Sequence, residues 1–534
     1  MRRFSSYGPL NPRLHYYAPR KELIENAYTT LVGENPEEGG HYITVWAPRQ
    51  CGKTWAMLEI LQKIKKAEGF DVVKVDLEHL KTTTDISHIV TSIAKNISRE
   101  LNEKNPLPKT LEEFQEFFSR ELLKKPLILI LDEFDALPEE VINGLAGIFR
   151  NIYNHRQKDL RKSGKEQWYR LHGVALIGVR SVLGIENVKG SPFNVQRSLH
   201  IPNLTFEEVK GMYRWYEKES GQKVEAEVIE RLYYETRGQP GLVSWLGELF
   251  TEGFEGYGND KTRSIGMREF ERVYSAAIYA LPNNNILNII SKAREKPNKE
   301  LILELYKTEE KMEFTFDEPT INALYMNGVV DKEVDEENRY YLRFSSPFVQ
   351  KRLFNYFSRT LFKQMGRLVE PFHNLDNIIM PSHLDIPGLM GLYQTYLDNN
   401  KSWLFKDVPR RSDLRVYEAV FHFNLYSYLD KFLQNKKGRV FPEFPTGNGK
   451  IDLLIRYNNL RYGIELKSFS DDAGYRLALS QAARYGKQLQ LPVIYLVAFV
   501  ESIDEMNRKI YEVDYLDPET GVTVKPIFIL TGKP

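Results

Sequence analysis

The sequence predicts a multidomain α/β protein, and three observations support this fold class. Short apolar runs alternate with helical patterns over residues 41–204, which is typical of a parallel sheet with helices on both faces. A strand, strand, helix, strand pattern appears again within residues 412–534. The length of 534 residues is by itself enough for roughly three or four domains. We therefore expect at least two separate α/β cores.

Composition excludes several classes of protein. The hydrophobic content of 42 % is ordinary for globular domains. Seventy-three basic and 72 acidic residues give a net charge of +1, so no overall field argues for or against nucleic acid. A single cysteine excludes an internal disulfide and a cysteine-rich zinc module. No apolar run of about eighteen residues and no secretory leader are seen, so we expect a cytoplasmic protein without membrane spans.

The first elements are an N-terminal arm and helix, followed by a sheet. Residues 1–40 form an irregular arm with one helix over 21–31. Strand-like runs follow at 41–46, 71–77, 126–131 and 173–179, with a shorter one at 197–202. Unbroken aliphatic runs fit strands that are buried on both faces. We predict a doubly wound parallel sheet over 41–204.

The loop after the first strand has the sequence of a phosphate-binding loop. Residues 47–54 read Ala-Pro-Arg-Gln-Cys-Gly-Lys-Thr and join an apolar strand to a helix, where backbone N–H groups point at phosphate oxygens. Lys53 would reach the β- and γ-phosphates, and Thr54 would offer its hydroxyl to Mg²⁺. Ala47 replaces the usual glycine and fits only if its φ is negative. The predicted nucleotide-binding residues are Arg49, Gln50, Cys51, Gly52, Lys53 and Thr54.

Two carboxylates end the aliphatic run at residues 127–131. Parallel α/β sheets bind ligands at this end of their strands. Asp132 would hold Mg²⁺, directly or through water, and Glu133 would polarise the attacking water. The alternative is a solvated acidic turn, but the preceding phosphate loop favours a nucleotide hydrolase. Parallel strands place both motifs at one edge of the sheet.

Two arginines are further candidates for phosphate contacts. Arg180 follows the strand at 173–179, where it would lie beside the γ-phosphate; alternatively, Ser181 simply caps a helix. Residues 205–280 are predicted to be helical and to form a lid, starting at a capping box, Thr205 to Glu208. A break between two of these helices, at 236–241, contains Arg237 as the second candidate.

The middle of the chain is predicted to contain a small helical module and a connector. Residues 298–357 read as two helices and a hairpin, an order that resembles a winged helix spanning 281–360. The helix before the hairpin, 318–327, carries no basic row, so a spacer is favoured over a DNA contact. Residues 361–411 are interrupted by prolines and are predicted to be a connector with some helix.

The C-terminal segment, 412–534, contains a second cluster of charged residues. A strand with Asp452 near its start turns into a second strand that carries Glu465 and Lys467 on one face. The hairpin would bring Asp452 beside Glu465 and form an oxygen-rich pocket suited to Mg²⁺ or Mn²⁺. Lys467 would orient or activate the attacking water. The alternative is a solvated charged hairpin.

Two helices flank this predicted hairpin. A helix over 412–433 places Glu418 on its first turns, and a helix over 474–490 holds Gln481 and Tyr485 four residues apart on one face. A core strand over 492–500 follows. The order helix, strand, strand, helix, strand is that of a restriction-endonuclease-like core.

On these motifs, residues 41–250 resemble AAA+ and related P-loop ATPases. Tyr16–Arg20 is similar to the segment that these proteins place near the adenine. Residues 191–194, followed by a strand and Thr205–Glu208, are similar to a bacterial group with an AAA-like domain. Such relatives often present an arginine to a neighbouring subunit; Arg150 and Arg156 are candidates, and neither is assigned. The resemblance implies ATP and Mg²⁺ as cofactors and a possible homo-oligomer through the ATPase domain.

Residues 412–500 resemble the PD-(D/E)xK nuclease superfamily. Asp452, Glu465 and Lys467 match its core motif, with Asp452 and Glu465 as metal ligands; Ile451 stands where a proline is usual. Glu418 matches its helical acid, and Gln481 with Tyr485 its Gln-x-x-x-Tyr variant. The resemblance implies a Mg²⁺- or Mn²⁺-dependent nuclease.

The two resemblances imply a nuclease under nucleotide control, with DNA as the expected partner and defence or mobile-element biology as a setting. The alternative is a nucleotide-dependent switch, or a nucleic-acid-binding protein, with an inactive nuclease fold. Nothing in the sequence distinguishes DNA from RNA or endonuclease from exonuclease action.

Overall fold

The chain forms two compact units in a computed structural model. The structure describes residues 1–534 except 9, 36–38, 68, 159–166, 179–195, 253–259, 308–310, 370–374, 411–415, 435, 437, 446–448, 470 and 533–534. Unit 1 comprises Met1–Ile289 and Thr315–Asp331, and unit 2 comprises Ile290–Phe314 and Lys332–Pro534. Over the described ranges, no helix has both the length and the apolar character needed to span a membrane.

A five-stranded parallel sheet forms the core of unit 1. Its strands are β1 (Tyr42–Trp46), β2 (Asp71–Asp76), β3 (Leu127–Asp132), β4 (Leu171–Gly178) and β5 (Gln196–His200). Their order is β2-β3-β4-β1-β5, and every neighbouring pair is parallel. The prediction of a parallel sheet is confirmed. All residues of β3 and β4 are buried, which fits the unbroken aliphatic run 127–131 of β3 and the apolar run 173–178 of β4.

Helices pack on both faces of this sheet. They are α1 (Lys21–Val32), α2 (Lys53–Lys66), α3 (Ile86–Leu101), α4 (Leu111–Glu116) and α5 (Glu139–Lys158). Further helices, α6 (Phe206–Ser220), α7 (Ala226–Thr236), α8 (Pro240–Thr251) and α9 (Met267–Tyr279), follow the last strand and pack on one another. Alternate residues of β3 enter different cores because successive side chains of a strand point to opposite faces. Leu129 packs in the core that includes α3 and α5, whereas Ile128 and Ile130 pack in the core that includes α1 and α2.

The segment predicted to be winged-helix-like contributes to both units. Its elements are α10 (Asn284–Ala293), α11 (Asn298–Lys307), α12 (Pro319–Met326), β6 (Val330–Val334) and β7 (Tyr340–Phe344), and β6 pairs with β7. Helix α12 belongs to unit 1, whereas α11 and β7 belong to unit 2. Within unit 1, the ring of Tyr325 on α12 lies 5.8 Å from that of Trp46 at the end of β1.

Unit 2 is built on a six-stranded mixed sheet. Its remaining elements are α13 (Pro347–Leu361), α14 (Ile386–Leu404), α15 (Glu418–Leu433), β8 (Gly438–Pro445), β9 (Lys450–Tyr457), β10 (Leu460–Ser468), α16 (Asp472–Gln488), β11 (Val493–Val500), α17 (Glu505–Tyr511), β12 (Tyr515–Leu516) and β13 (Thr523–Leu530). The order is β12-β13-β11-β10-β9-β8. Strand β10 is antiparallel to β9 and parallel to β11, so the predicted hairpin and the following core strand are present.

One expectation about the helices of unit 2 needs correction. The helix expected from residue 412 begins at Glu418, because Val416 is held in an extended bridge with Arg410 and Tyr417 is the N-cap. The segment predicted to be a connector with some helix contains the 19-residue helix α14. Gln394 on this helix donates to Leu530 O at 3.0 Å and accepts from Leu530 N at 2.6 Å, so α14 is fixed to β13.

A buried arginine joins α5 to β4 in unit 1. Arg156 donates to Leu171 O at 2.8 Å and to His172 O at 2.6 Å, and its side chain is buried. These bonds satisfy backbone carbonyls inside the fold. Arg156 is therefore a structural residue and not one that reaches a neighbouring subunit. Next to it, His172 Nε2–H donates to Val32 O at 2.8 Å.

We predict that unit 1 loses stability below about pH 6.5 through His172. Burial, aided by the charge of Arg156, lowers the pKa of His172 from 6.5 to about 3. A depressed folded-state pKa gives stability that is complete above the unfolded pKa of about 6.5 and is lost as the pH falls from there towards 3. At about pH 5 the loss is about 2 kcal/mol. Urea unfolding at a series of pH values measures it.

The control for this prediction is His172→Gln, whose amide can still donate to Val32 O but does not titrate. Its free energy of unfolding should depend less on pH between about 6.5 and 5, with a slope smaller by up to about 1.4 kcal/mol per pH unit. Equal slopes for the two proteins would contradict this account.

Candidate functional site

The topology of unit 1 brings the two nucleotide motifs to one edge of the sheet. Strand β1 lies beside β4, and β4 lies beside β3, so the carboxyl ends of β1 and β3 flank that of β4. The loop at 47–54 follows β1, and Asp132 ends β3. Ligands of open parallel sheets bind at such an edge, where the strand order changes direction.

The backbone of the loop has the strained positions that a tight turn requires. Gly52 is the left-handed N-cap of α2 with a φ of 87°. Gln50 also has a positive φ, 58°, whereas Ala47 does not. Ala47 therefore meets the condition that an alanine at this position have a negative φ, and it is compatible with the turn. The left-handed conformation of Gln50 was not foreseen, because a non-glycine residue there carries no sequence signal.

Lys53 is buried at the first helical position of α2. Its ammonium donates to Ala47 O at 2.8 Å and to Pro48 O at 3.1 Å. Burial lowers the pKa of Lys53, and the acidic side chains around it, including Glu133 and Asp132, oppose that shift. Thr54 follows at the next helical position. The lysine is thus held by the loop's own carbonyls and lies in the field of the acids after β3.

The acids after β3 are concentrated and partly desolvated. Glu133 adopts a left-handed conformation with a φ of 54°, and burial, then the charge of Asp135, raises its pKa. Asp132 forms an ion pair with Lys74 on β2, with Nζ 2.8 Å from Oδ2. Lys74 was not foreseen as a member of the site. One sequence feature could have identified it: Lys74 lies two residues before the end of β2, the strand that neighbours β3.

The break between α7 and α8 contacts the phosphate loop. Gln239 donates to Arg49 O at 3.2 Å, and Gly241 N donates to Gln50 O at 3.1 Å. Arg237 ends α7 in a left-handed conformation, two residues before Gln239. The lid is thereby joined to the loop, which places Arg237 close in sequence to these contacts. The other arginine, Arg180, lies outside the described residues.

Cys51 lies in the loop as a buried thiol. Its Sγ is 3.8 Å from Arg49 O and 3.9 Å from Asn203 Oδ1. Burial raises the pKa of Cys51 to about 11, so the thiol stays protonated at neutral pH. The residue contributes packing to the loop.

In unit 2, the predicted charged residues converge on β9 and β10. Asp452 Oδ2 accepts a hydrogen bond from Leu466 N at 2.7 Å, which ties β9 to β10 beyond their last paired residues. Lys467 Nζ lies 3.8 Å from Glu465 Oε1. Burial, then the charge of Asp452, raises the pKa of Glu465 well above its usual value. Asp452, Glu465 and Lys467 therefore form one interacting group.

Two further residues, His422 and Glu443, lie beside Asp452. His422, Glu443 and Asp452 each offer an atom within 4.8 Å of the others, a spacing that can hold a metal ion. Lys450 Nζ donates to Glu443, which also accepts from Gln350 Nε2 at 3.0 Å. We did not foresee β8, which carries Glu443. His422 had a signal, because it follows Glu418 by one helical turn on the same face of α15.

The two predicted residues of α16 are also near the group. Gln481 Nε2 donates to Tyr485 Oη at 2.9 Å. Burial, then the charge of Glu465, raises the pKa of Tyr485, with a smaller effect from Asp452. Gln481 and Tyr485 thus occupy one face of α16, and Tyr485 faces the carboxylates. Glu418 is the first residue of α15.

Comparisons with known proteins bear on the first half of the chain. Residues 6–250 match the family described as the AAA-like domain. This match and the geometry of the phosphate loop and the acids together support an ATPase-like domain in residues 6–250. A comparison with curated proteins found no significant match.

Several solved structures show a distant likeness. A Walker-type ATPase of Pyrococcus abyssi has 13 % identity and a TM-score of 0.43, over 66 % of this chain and 99 % of that chain. The ORC1 protein of Aeropyrum pernix in complex with DNA has 15 % identity and a TM-score of 0.33, over 63 % of this chain and 92 % of that chain. The RuvB branch migration motor of Thermotoga maritima has 12 % identity and a TM-score of 0.33, over 61 % of this chain and 92 % of that chain. At these TM-scores the likeness bears on neither substrate nor mechanism.

We predict that Gly241→Ala weakens nucleotide binding. A β-carbon on Gly241 would lie 2.5 Å from Gln50 Oε1 and 2.7 Å from Gln50 Cβ, so the lid and the loop could not both keep their positions. Overpacking of this kind costs about 1–3 kcal/mol, or roughly a fivefold to hundredfold loss of ATP affinity. Isothermal titration with ATP and Mg²⁺ measures it.

Gly211→Ala is the matched control. Gly211 lies on α6 with open space around its Cα, and alanine there favours the helix. Its ATP affinity should equal that of the wild type. Unchanged affinity in Gly241→Ala would show that the lid contact does not support the loop.

Proposed function

We propose that this protein is an ATPase whose C-terminal domain, residues 412–534, is a metal-dependent nuclease of the restriction-endonuclease-like type that cleaves DNA under nucleotide control. The first half of the chain supplies the phosphate loop and the acids of a nucleotide hydrolase. The observation that carries the nuclease part is the convergence of Asp452, Glu465 and Lys467 on adjacent strands.

The burial of Glu465 supports a cation at this site. Glu465 is 3 % exposed, and its Oε2 accepts no hydrogen bond from the described residues. Lys467 lies at 3.8 Å from the other oxygen, which is long for a hydrogen bond. A buried carboxylate oxygen without a partner is costly, and a divalent cation would offset that cost. The residues present therefore fit a metal ion.

The donors around Asp452 indicate which metal ions fit. Asp452 and Glu465 supply carboxylate oxygens, which suit Mg²⁺ and Mn²⁺. His422 adds an imidazole nitrogen, which favours a transition metal such as Mn²⁺ over Mg²⁺. When bound, such an ion acts as a Lewis acid and lowers the pKa of a bound water.

The protein's own residues would do the remaining work. Lys467 carries a positive charge beside Glu465 and can orient the water or stabilise charge on the cleaved phosphate. Tyr485, oriented by Gln481, faces the same group from α16. In unit 1, Lys53 and Thr54 would hold the phosphates and Mg²⁺ with Asp132, and Glu133 would position the water. Arg180 and Arg237 remain proposed phosphate contacts.

One observation favours the second candidate function, a nucleotide-dependent switch with an inactive nuclease fold. Lys450 Nζ donates to Glu443 inside the carboxylate group. Although burial lowers it, the pKa of Lys450 is raised overall by Glu443 and Asp452. Lys450 therefore supplies part of the positive charge that a metal ion would bring. Metal binding to the full-length protein discriminates between the two functions.

We predict that the two sites can be separated by mutation. Asp452→Ala should abolish DNA cleavage, because it removes a metal ligand, and should leave ATP hydrolysis unchanged. Lys53→Ala should abolish ATP hydrolysis by removing the phosphate contact. The measurements are release of inorganic phosphate and cleavage of linear, circular and single-stranded DNA with Mg²⁺ or Mn²⁺, with and without ATP.

Nucleotide control requires that Lys53→Ala also change the cleavage of DNA. Cleavage of DNA by the Asp452→Ala protein would contradict the assignment of the nuclease site. Intact ATP hydrolysis without cleavage of any DNA, in the wild type with either metal, would favour the switch or an RNA substrate.

We also predict that Glu465→Gln stabilises the metal-free protein. The change removes a carboxyl group whose ionisation is disfavoured by burial and by Asp452 and whose Oε2 has no hydrogen bond from the described residues, and it keeps the shape of the side chain. The expected gain is about 1–3 kcal/mol without metal, seen as a rise in Tm in EDTA. Mn²⁺ should raise the Tm of the wild type but not that of Glu465→Gln. A lower Tm in EDTA would contradict the cost assigned to this carboxylate.

A further inference from the structure

A lysine on β2 reaches the carboxylate of Asp132 from the neighbouring strand. Strand β2 pairs in register with β3, so that Lys74 lies opposite Ile130, and Asp132 follows Ile130 on the same face of β3. Lys74 Nζ is 2.8 Å from Asp132 Oδ2, the distance of a charge-assisted hydrogen bond. The ammonium therefore binds the carboxylate that is proposed to hold Mg²⁺.

The pair lies on the face of the sheet that packs against α2, the helix after the phosphate loop. Val72, two residues before Lys74 on β2, shares a core with Ile130 and with residues of α1 and α2. Val73 and Val75 belong to the core on the opposite face. Because side chains of a strand alternate, Lys74 points to the α2 side and not to the α3 side.

The carboxylate of Asp132 cannot bind two cations equally well. It is buried, with Oδ2 on Lys74 and Oδ1 accepting a hydrogen bond from Glu133 N at 3.2 Å. A buried carboxylate without a cation is costly, and Lys74 offsets that cost. The same positive charge opposes the approach of Mg²⁺.

Lys74 can leave Asp132 and still have an acceptor for its ammonium. Its side chain is 18 % exposed, and a lysine ammonium lies on a flexible four-carbon stem. Asp76 ends β2 on the same face, about 7 Å further along the strand, and is exposed. Its Oδ1 accepts a hydrogen bond from Glu78 N at 2.9 Å, which holds the carboxylate at the end of the strand. Asp76 and water thus offer a second, solvated environment.

We propose that Lys74 is an internal cation, which pairs with Asp132 while the nucleotide site is empty and moves to Asp76 and solvent when Mg²⁺ binds with ATP. The proposal rests on the proposed role of Asp132 as a ligand of Mg²⁺ and assigns a competitor to that ligand. Lys74 therefore stabilises the empty site and reduces the gain in ATP affinity that Mg²⁺ provides.

The first test compares nucleotide binding with and without Mg²⁺ in the full-length protein. Isothermal titration gives the affinity for a non-hydrolysable ATP analogue in Mg²⁺ and in EDTA, and the ratio of the two affinities measures the contribution of the metal. Lys74→Gln should raise this ratio about tenfold or more, the effect of one unit charge a few ångströms away at a partly buried site. Lys74→Arg keeps the charge and should keep a ratio close to that of the wild type.

Melting temperatures test the empty site. In EDTA without nucleotide, Lys74→Gln should melt below the wild type, because it leaves a buried carboxylate without its cation. Lys74→Gln/Asp132→Asn removes both charges and should recover most of that loss. Lys63→Gln is the control, since Lys63 lies on α2 and forms a more exposed ion pair with Glu25 on α1. Its affinity ratio and its Tm should match those of the wild type.

A further measurement uses the wild type and does not depend on the folding of a variant. Reductive methylation with isotope-labelled formaldehyde, read by mass spectrometry, compares the reactivity of each lysine in the nucleotide-bound protein with Mg²⁺ and with EDTA. Lys74 should react faster with Mg²⁺, because its ammonium has left the buried ion pair. Lys63 should react equally under the two conditions.

Two results would overturn the displacement of Lys74. One is an unchanged or lower affinity ratio in a folded Lys74→Gln protein, which would make the lysine a structural partner of Asp132 or a residue that stays to hold the metal site. The other is equal reactivity of Lys74 with Mg²⁺ and with EDTA.

Failure of the ATPase site is read separately. If the wild type binds no nucleotide with Mg²⁺ or with EDTA, the nucleotide site itself is wrong, and the role of Lys74 fails with it. If the wild type binds nucleotide and Lys74→Gln has the wild-type ratio, the nucleotide site stands and only the role of Lys74 fails.

Discussion

The pairing of β1 with both β4 and β5 is the constraint on which the nucleotide site depends. It places the end of β1 next to the end of β4, with the end of β3 on the other side. The phosphate loop and the acids Asp132 and Glu133 can meet only through this order, because they are about 80 residues apart in sequence. The two motifs meet at Lys53, because Asp132, Glu133 and Asp135 all oppose the lowering of its pKa by burial.

Burial of charge is the second constraint, and it acts in both units. In unit 1, Asp132 is buried and is paired with Lys74. In unit 2, Glu443 is buried and paired with Lys450, and Glu443 and Glu465 each keep one oxygen without a hydrogen bond among the described residues. The cost of a buried carboxylate oxygen without a partner is the physical basis on which we propose a metal ion at Glu465.

The segment that returns to unit 1 lies against the phosphate loop. Unit 1 includes 315–331, so the chain passes between the units three times, at 289–290, 314–315 and 331–332. In that returning segment a β-carbon on Gly328 would lie 3.0 Å from Pro48 of the phosphate loop, and Tyr325 contacts Trp46. The segment that contacts the loop continues directly into unit 2 through β6.

The sequence by itself determined the elements whose signal is local. Unbroken aliphatic runs identified β3 and β4, the Gly52-Lys53-Thr54 sequence identified the phosphate loop, and alternation along β10 put Glu465 and Lys467 on one face. Only tertiary structure decided which residues from distant segments meet. Lys74, Gln239, His422 and Glu443 carry no motif, and they join the sites because strand pairing and helix packing bring them there.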